Sequence, residues 1–379
     1  MDVNNKTIFL YMNFFKDDDS IGITKKIKSQ IKAMRRMGMI VYYSAYVDDG
    51  AVIVNNDDKV VYKKYFALKN RKYQRYNRRF LLIKTSTQFI KRSTEKFDLA
   101  YLRWHTYDNT FLAMLKALHE KGTKSIVEAH AWTPNRIPDG IISRYQIAMD
   151  NRYSKYAKNY VSLVAGMSEY DNIWGINTVK VDNAVDLESI KERHWVRKNG
   201  VLRIVSVSNE REYHGYDRLL RGIRNYYDNG GQRKIEVHFV GVFLESTKKL
   251  TDELKLSDIV YFHGKKFGDE LDEIYDNSDI GIGALAHHRI GMYAGSSLKT
   301  KEYFAKGLPF IYGWKEPAFD ETYPYAHRVE LCEEPVDMEE IIDFYDSIKD
   351  DPNMVYNMRQ FAKEHYSWEK ELTKIFEAL

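Results

Sequence analysis

Residues 295–310 read Gly-Ser-Ser-Leu-Lys-Thr-Lys-Glu-Tyr-Phe-Ala-Lys-Gly-Leu-Pro-Phe. This pattern predicts a turn of small residues and a helix that ends at Gly307, with Pro309 just beyond it. The first amides of a helix lack intrahelical partners and the helix dipole favours negative charge, so such a turn can hold a phosphate group. Glu302 would lie about one turn into the helix, where a carboxylate can bind sugar or ribose hydroxyls. An ordinary loop and amphipathic helix is the alternative interpretation.

In each half of the chain, short apolar runs alternate with longer amphipathic segments, which is typical of parallel sheets covered by helices. A first series of predicted strands starts at Thr7–Met12, and a second series restarts at Leu202–Val207 after the polar stretch Asp186–Gly200. The other predicted strands are Met39–Tyr43, Asp98–Arg103, Ser125–Glu128, Val161–Ala165, Thr178–Val181, Glu236–Gly241, Val260–Gly264, Asp279–Gly283 and Pro309–Tyr312. Ligands of open α/β sheets bind at the carboxyl ends of the strands, so a cleft between two such domains is the expected site.

Length and composition agree with a soluble protein of two domains. The chain has 379 residues, 44% of them hydrophobic and 30% charged, which is enough for two separate cores. No apolar run approaches the roughly 20 residues that span a bilayer, and the first residues lack the pattern of a signal peptide. One cysteine, Cys332, excludes an intrachain disulfide and a cysteine-rich zinc site. We therefore expect a cytoplasmic location.

A basic tract runs from Lys59 to Arg92, with twelve Lys or Arg, no Asp or Glu, and interleaved Tyr and Phe. Such a surface can contact nucleic acid, an anionic membrane or a phosphorylated lipid. A solvated helical face whose aliphatic stems cover apolar surface is the alternative interpretation.

Together these motifs resemble a retaining glycosyltransferase of the GT-B fold, close to family 4, whose members are common in bacterial capsule and exopolysaccharide assembly. The resemblance extends over nearly the whole chain and is strongest from Val201 to Trp314. It implies an α/β protein with two Rossmann-like, doubly wound domains that face each other across a cleft. Residues 1–186 would form the acceptor-side domain, residues 187–355 the nucleotide-sugar domain, and residues 356–379 a C-terminal helix that returns to the first domain.

The resemblance assigns donor-binding roles around the quoted stretch. Glu302 matches the second acid of the Glu-x7-Glu motif of the family, which binds the nucleotide ribose. Ser297 and Leu298 match positions whose backbone amides hold the distal phosphate. The first acid of the motif, which contacts the donor sugar, is replaced here by Ala294. This departure leaves the donor sugar open.

The cations that the family places against the diphosphate are also different in this chain. His214, just before a Gly, stands at the position of the family's Lys, and Asn209 stands at the position of its Arg. A departing diphosphate builds up negative charge, so cations are needed against it. We expect this role from His214 and Lys299, with Arg211 and Arg289 as further candidates. With an ordinary pKa near ~6.5, His214 would be a pH-dependent cation; a residue at a helix N-terminus is its structural alternative.

Other residues are assigned by the same resemblance. Gly264 and Lys265 belong to the loop whose backbone reads the nucleotide base. Gly22 resembles the glycine-loop residue below the acceptor, and His130 resembles the histidine that faces the reacting sugar. His130 at a strand end is equally consistent with a hydrogen-bonded structural residue.

The expected activity is transfer of a sugar from a nucleotide diphosphate, in particular a UDP-sugar, to a glycan or polyprenyl-linked acceptor.

The resemblance implies no metal and no other cofactor. The adjacent side chains of His287 and His288 project in different directions, which disfavours a metal site. The basic tract is expected to meet an anionic membrane at its inner face, and no nucleic acid is expected as a partner. A nucleotide-sugar 2-epimerase and a non-catalytic nucleotide-sugar-binding homologue are the alternatives.

Overall fold

The computed structural model describes residues 2–16, 22–66, 74–130, 132, 138, 140–166, 170–198, 200–295, 297–316 and 319–379. The chain forms two compact units, of which unit 1 comprises Met1–Asp182 with Trp368–Leu379 and unit 2 comprises Asn183–Ser367. The family resemblance predicts the first boundary at residue 186 and the start of the returning segment at residue 356.

The strands are β1 Thr7–Tyr11, β2 Ile40–Val47, β3 Gly50–Val54, β4 Val60–Tyr65, β5 Leu99–Arg103, β6 Lys124–Ala129, β7 Leu163–Gly166, β8 Asn172–Ile173, β9 Ile176–Lys180, β10 Val201–Asn209, β11 Lys234–Val242, β12 Val260–Gly264, β13 Ile280–Ile282, β14 Phe310–Tyr312 and β15 Ala326–Arg328. The helices are α1 Gly22–Arg36, α2 Gln74–Arg92, α3 Asn109–Glu120, α4 Ile141–Ala157, α5 Tyr216–Asp228, α6 Glu245–Glu253, α7 Gly268–Asp276, α8 Leu298–Lys306, α9 Met338–Ile348, α10 Met354–His365 and α11 Trp368–Glu377. Among the described residues, no helix is long and apolar enough to cross a membrane.

The sheet of unit 1 has the order β4-β3-β2-β1-β5-β6-β7-β9-β8. Its central pairs are parallel, as the alternating apolar runs predict, while β3 and β4 add an antiparallel edge. Buried side chains such as Phe9, Leu102 and Val127 form the core. The chain reverses its winding direction between β1 and β5, and ligands of doubly wound sheets bind at such a switch point.

Unit 2 is built on a parallel sheet with the order β12-β11-β10-β13-β14-β15. The chain winds outward from β10 to β12 and then returns to β13 beside β10. The switch point of this unit therefore lies at the carboxyl ends of β10 and β13, where the loops of residues 210–215 and 283–286 begin.

Helix α8 begins and ends as the sequence predicts. Ser297 is the N-cap, and its hydroxyl accepts a hydrogen bond from the amide of Lys299. Gly307 ends the helix in the left-handed conformation at φ 74°, and a Cβ there would lie 2.6 Å from a side-chain carbon of Val355. Only glycine combines this φ with this close approach.

The chain crosses between the units twice, and the two crossings run side by side. The amide of Val185 donates to the carbonyl of Tyr366, and Val185 pairs with Ser367 in a parallel bridge. The predicted C-terminal helix is therefore two helices with a break at this bridge. Helix α10 belongs to unit 2, whereas α11 belongs to unit 1, where Glu371 accepts from the amide of Asp182.

Candidate functional site

A cavity of about 160 Å³ opens at the switch point of unit 2. It is lined by Tyr213, His214, Ala284, His287, Met292, Ala294, Gly295, Ser297, Lys299 and Trp314. Ligand pockets are typically roughly 300–1,000 Å³, so this cavity has room for one part of a ligand, such as a sugar ring or a phosphate. The fold thus brings together three predicted site residues, His214, Ser297 and Lys299.

The loop after β10 is held against the loop after β13 by backbone contacts. The amide of Leu285 donates to the carbonyl of His214 at 2.9 Å, and the amide of Ala286 donates to the carbonyl of Tyr213 at 3.1 Å. Gly215, the residue after His214, has φ 68°, and a Cβ atom at this position would lie 2.9 Å from the Cβ of Ala286. This close approach fixes the position of His214 at the cavity.

Lys299 is held by a cluster of hydroxyl groups below the cavity. Its Nζ atom lies 3.1 Å from the hydroxyl of Tyr216 and 3.4 Å from Oγ of Ser206. The Tyr216 hydroxyl also lies 2.5 Å from Oγ of Ser206 and 2.7 Å from Oγ of Ser208. Lysine ammonium groups are otherwise flexible, so these contacts give Lys299 a defined position at the N-terminus of α8. Sequence reasoning missed Tyr216, because a tyrosine at a helix start is ordinarily a core residue.

His214 is buried and its pKa is lowered to about 2, first by desolvation and then by the charge of Lys299. The expectation of a cation near neutral pH is therefore wrong for the free protein. Its Nδ1 atom accepts a hydrogen bond from the amide of Arg211 at 3.2 Å, so the proton of the neutral ring is on Nε2. At the cavity His214 is a neutral hydrogen-bond donor.

This protonation state predicts a pH profile. We expect kcat/KM to show no limb from His214 between pH 5 and 8, because kcat/KM reports the free enzyme and the ring there stays neutral. Profiles of the wild type and of His214→Gln, whose amide also donates, should have the same shape over this range. A limb near pH 6.5 in the wild type that disappears in His214→Gln would contradict the neutral assignment.

Of the two predicted arginines, Arg289 forms ion pairs within the protein. Its guanidinium donates a bidentate pair of hydrogen bonds to Asp217, at 2.9 and 2.8 Å, and also donates to Glu333 and to the carbonyl of Glu212. The hydrogen bonds that the guanidinium donates to Asp217 and Glu333 raise the pKa of Arg289. Arg289, in the loop after β13, therefore links this loop to α5 through Asp217. It is not among the residues that line the cavity. Arg211 is exposed beside His214.

Helix α8 is anchored by a buried ion pair. Lys301 Nζ lies 3.0 Å from Oε1 of Glu316, both side chains are fully buried, and Nζ lies 4.0 Å from the ring centroid of Tyr366. This pair fixes the direction in which the helix N-terminus, with the first helical amide at Leu298, faces the cavity. Glu302 lies half-buried one turn along the helix and outside the residues that line the cavity.

The predicted base-reading loop is at the carboxyl end of β12. Gly264 ends this edge strand at φ 66°, and the following Lys265 is exposed. Behind it, Nδ1 of His238 lies 2.9 Å from Nε2 of His263. The backbone here is open to solvent and available to a ligand.

In unit 1, His130 follows β6 directly. Desolvation and then the charge of Arg103 lower its pKa to about 4, and its buried Nδ1 has no hydrogen-bond partner within the described residues. Its ring packs edge-on against His105, whose Nε2 lies 3.0 Å from Nδ2 of Asn13 at the switch point between β1 and β5. Gly22, the predicted glycine-loop residue, is the first residue of α1.

Glu128, two residues before His130, is a fully buried carboxylate. It accepts hydrogen bonds from Nζ of Lys26 at 3.2 Å and from a guanidinium nitrogen of Arg103 at 2.6 Å. Gln30 and Tyr101 donate to its other oxygen at 2.9 and 2.8 Å. Burial alone would raise the pKa of Glu128, but the charges of Lys26 and Arg103 hold it well below its usual range. This network ties α1, β5 and β6 together below His130.

The basic tract is only partly a free surface. Residues 67–73, with Lys69, Arg71 and Lys72, lie outside the described residues, as does the side chain of Arg75. Arg79 of the tract is largely buried and donates to Asp108 at 2.9 Å and to the carbonyl of Thr106 at 2.8 Å, so its charge is not free for a partner at the surface.

No metal centre is formed within the described residues, since no three His, Cys, Asp or Glu side chains there could hold an ion together.

No family model and no curated protein matches this sequence. Solved structures do match it over nearly its whole length. A glycosyltransferase from Rickettsia africae is 16% identical with a TM-score of 0.65, over 99% of this chain and 97% of that one. The catalytic domain of starch synthase IV from Arabidopsis thaliana, bound to ADP and acarbose, is 11% identical with a TM-score of 0.62, over 99% and 98%.

A protein from Listeria monocytogenes described as a UDP-N-acetylglucosamine 2-epimerase also matches, at 8% identity and a TM-score of 0.54, over 98% of this chain and 94% of that one. At these identities the likeness establishes the fold. The chain has the α/β GT-B fold that glycosyltransferases share, which confirms the predicted fold class.

Proposed function

We propose that this protein is a retaining glycosyltransferase that moves a sugar from a nucleoside diphosphate, in particular UDP, to a glycan or lipid-linked acceptor. The observation that carries the proposal is the ammonium of Lys299, held by Tyr216 and Ser206 at the N-terminus of α8 beside the cavity. A fixed cation and the N-terminus of a helix at a switch point suit a diphosphate. The fold of nucleotide-sugar enzymes supports the same conclusion.

The chemistry follows from the charge that develops on the leaving group. As the bond between the sugar and the diphosphate breaks, negative charge grows on the phosphate oxygens. In this proposal Lys299 and the backbone amides of Ser297 and Leu298 stabilise this charge, and the Nε2–H of neutral His214 adds a donor. Because Tyr216 and its serine partners hold the ammonium beforehand, little reorganisation is needed at the moment of reaction.

In this proposal Glu302 accepts hydrogen bonds from the ribose hydroxyls. Replacing Glu302 by Gln should weaken UDP binding by roughly 1–3 kcal/mol, the range for losing a charge-assisted hydrogen bond. Isothermal titration calorimetry in the presence of EDTA measures this affinity directly. Glu273→Gln on helix α7 is the matched control and should bind UDP as the wild type does. Equal UDP affinity of Glu302→Gln and wild type would remove Glu302 from the ribose site.

A nucleotide-sugar 2-epimerase is the second candidate, and the likeness to the Listeria protein favours it. An epimerase changes the sugar and leaves it on the nucleotide, so it needs no acceptor surface. Product analysis separates the two reactions, and a non-catalytic homologue would give neither product.

The acceptor side of the proposal lies on unit 1, where His130 is the residue proposed to contact the sugar. The edge strand β4 carries exposed Val61, Lys63 and Tyr65, a mixture of apolar and basic side chains that suits the surface of an anionic membrane. Lys63 also pairs with Asp49 at 2.9 Å, which reduces its attraction to lipid. We place the enzyme at the inner membrane face, in polysaccharide or glycoconjugate assembly.

A further inference from the structure

Polar side chains reach the cavity of unit 2 from several parts of the chain. Ser297 and Lys299 lie at the N-terminus of α8, where the proposed function places the diphosphate. Tyr213 and His214 belong to the loop after β10, and His287 belongs to the loop after β13. The proposed chemistry uses Ser297, Lys299 and His214 but leaves His287 without a role.

The imidazole ring of His287 is held in place by two aromatic rings. It stacks on Tyr213, with ring centroids 5.0 Å apart and an angle of 14° between the planes. It packs edge-on against Trp314, with centroids 4.7 Å apart and an angle of 83°. The amide of Met292 donates to the carbonyl of His287 at 3.1 Å, which also fixes the backbone. The ring therefore has a defined orientation that uses neither of its nitrogens, and a side chain that is already ordered loses little freedom on binding.

The ring nitrogens of His287 are available for a ligand. Neither forms a hydrogen bond within the part of the chain that the structure describes, and Nδ1 is buried. Nε2 is therefore the nitrogen that can reach a ligand in the cavity. Desolvation, and then the charge of Lys299, lower the pKa of His287 to about 4, so the ring is neutral near pH 7. A neutral imidazole carries its proton on one nitrogen, and no contact among the described residues fixes which one.

This freedom distinguishes His287 from His214. Nδ1 of His214 accepts from the amide of Arg211, so its Nε2 is a donor only. A donor suits a phosphate oxygen, which only accepts. Nε2 of His287 can donate or accept, which suits a hydroxyl group, because a hydroxyl does both. Since the neutral ring also adds no charge against a phosphate, a sugar hydroxyl is the part of the donor that fits it best.

We infer that Nε2 of His287 binds a hydroxyl group of the donor sugar, and that His287 thereby selects a hexose donor in which this hydroxyl is free. The inference rests on the proposed function, because it requires the diphosphate to lie at Ser297 and Lys299. With the diphosphate there, the sugar attached to it lies against the rest of the cavity lining, to which His287 belongs.

The test compares the affinity for a donor with the affinity for its free nucleotide, measured by calorimetry. UDP, UDP-glucose, UDP-galactose and UDP-N-acetylglucosamine are measured first, together with ADP, ADP-glucose, GDP and GDP-mannose, and the tightest hexose donor is selected. His287→Phe keeps an aromatic ring against Tyr213 and Trp314 but removes both nitrogens. Donor binding should weaken about five- to tenfold in this variant, the effect of losing one hydrogen bond, while binding of the free nucleotide stays the same. His287→Gln, whose amide can donate or accept, should retain most of the donor affinity.

The neighbouring histidine provides the matched control. His288 binds Glu333 at 2.7 Å and is not among the residues that line the cavity, so His288→Phe should leave both affinities unchanged. A ratio of donor affinity to nucleotide affinity that is the same in His287→Phe and in the wild type overturns the inference and leaves the proposed function standing. No binding of any nucleotide by the wild type overturns both.

Monodeoxy derivatives of the selected donor test the inference in the wild type, without a substitution that could affect folding. Each derivative lacks one hydroxyl of the sugar. One of them should bind the wild type about five- to tenfold more weakly than the parent donor does, and this derivative identifies the hydroxyl. His287→Phe should bind this derivative and the parent donor equally, because the partner of the hydroxyl is already absent. Equal wild-type affinities for the parent donor and every monodeoxy derivative would exclude the contact.

Discussion

Replacing Lys299 by alanine is expected to lower kcat by about 10²–10³-fold, the effect of removing one donor that stabilises developing charge. The ammonium is half-buried and held by Tyr216, so its interaction with the leaving diphosphate is stronger than in open water. Since the interaction strengthens as charge develops, kcat and kcat/KM should fall together. Steady-state kinetics measure both parameters, with the donor and acceptor that product analysis identifies.

Two further variants show whether the effect is specific. Lys248→Ala removes an exposed lysine of α6 in the same unit and should leave kcat unchanged. Tyr216→Phe keeps the buried ring but removes the hydroxyl that holds Lys299, so it should lower kcat less than Lys299→Ala does. Adding Tyr216→Phe to Lys299→Ala should cost little more, because Tyr216 acts through Lys299. Near-normal turnover of Lys299→Ala would exclude Lys299 from the mechanism.

The largest expected effect on stability is at Glu128. Glu128→Ala should destabilise unit 1 by about 3–5 kcal/mol, because it leaves Lys26 and Arg103 buried without their carboxylate. Urea denaturation followed by tryptophan fluorescence measures the free energy of unfolding. The control Glu120→Ala removes an exposed carboxylate of α3 that lies 3.9 Å from Lys116, and should change stability by less than about 0.5 kcal/mol.

The contribution of Glu128 also depends on pH. Its pKa is lowered in the folded state, so its stabilising effect is fully present above the unfolded-state pKa of about 4.3. The effect is lost as pH falls below that value through the folded-state pKa, where protonation breaks the network. The wild type should therefore lose more stability in acid than Glu128→Gln does. A loss below 1 kcal/mol for Glu128→Ala at pH 7 would contradict the account of this network.

Local sequence patterns were sufficient for the elements that carry the fold. The predicted strands of both units are present, because buried parallel strands are short apolar runs that can be recognised without their neighbours. Helix α8 was predicted to follow a turn of small residues and to stop at Gly307, and it does so, since helix ends depend on residues next to the helix. The β3–β4 hairpin was missed, because the basic residues of β4 concealed an edge strand.

Features that depend on distant partners could not be read from the sequence. Lys26 and Glu128 are 102 residues apart, and the contact between them is visible only in the folded sheet. The same applies to Tyr216 and Lys299, which are separated by 83 residues. Arg289 and His214 were expected to be cations at the site. Arg289 instead forms ion pairs with Asp217 and Glu333. The pKa of His214 is lowered by burial, so its ring is neutral. The charge of a side chain in the sequence therefore does not show whether that charge is free in the folded protein.

The most direct test of the central claim is product analysis with nucleotide sugars labelled in the sugar. The purified protein is incubated with each donor and a membrane lipid extract, with Lys299→Ala as the matched control, and the products are separated by chromatography. The account predicts that the label moves from the nucleotide to an acceptor with the wild type, at least about 10²-fold faster than with Lys299→Ala. Label that stays on the nucleotide as an epimerised sugar, or that is never transferred from any donor, would contradict it.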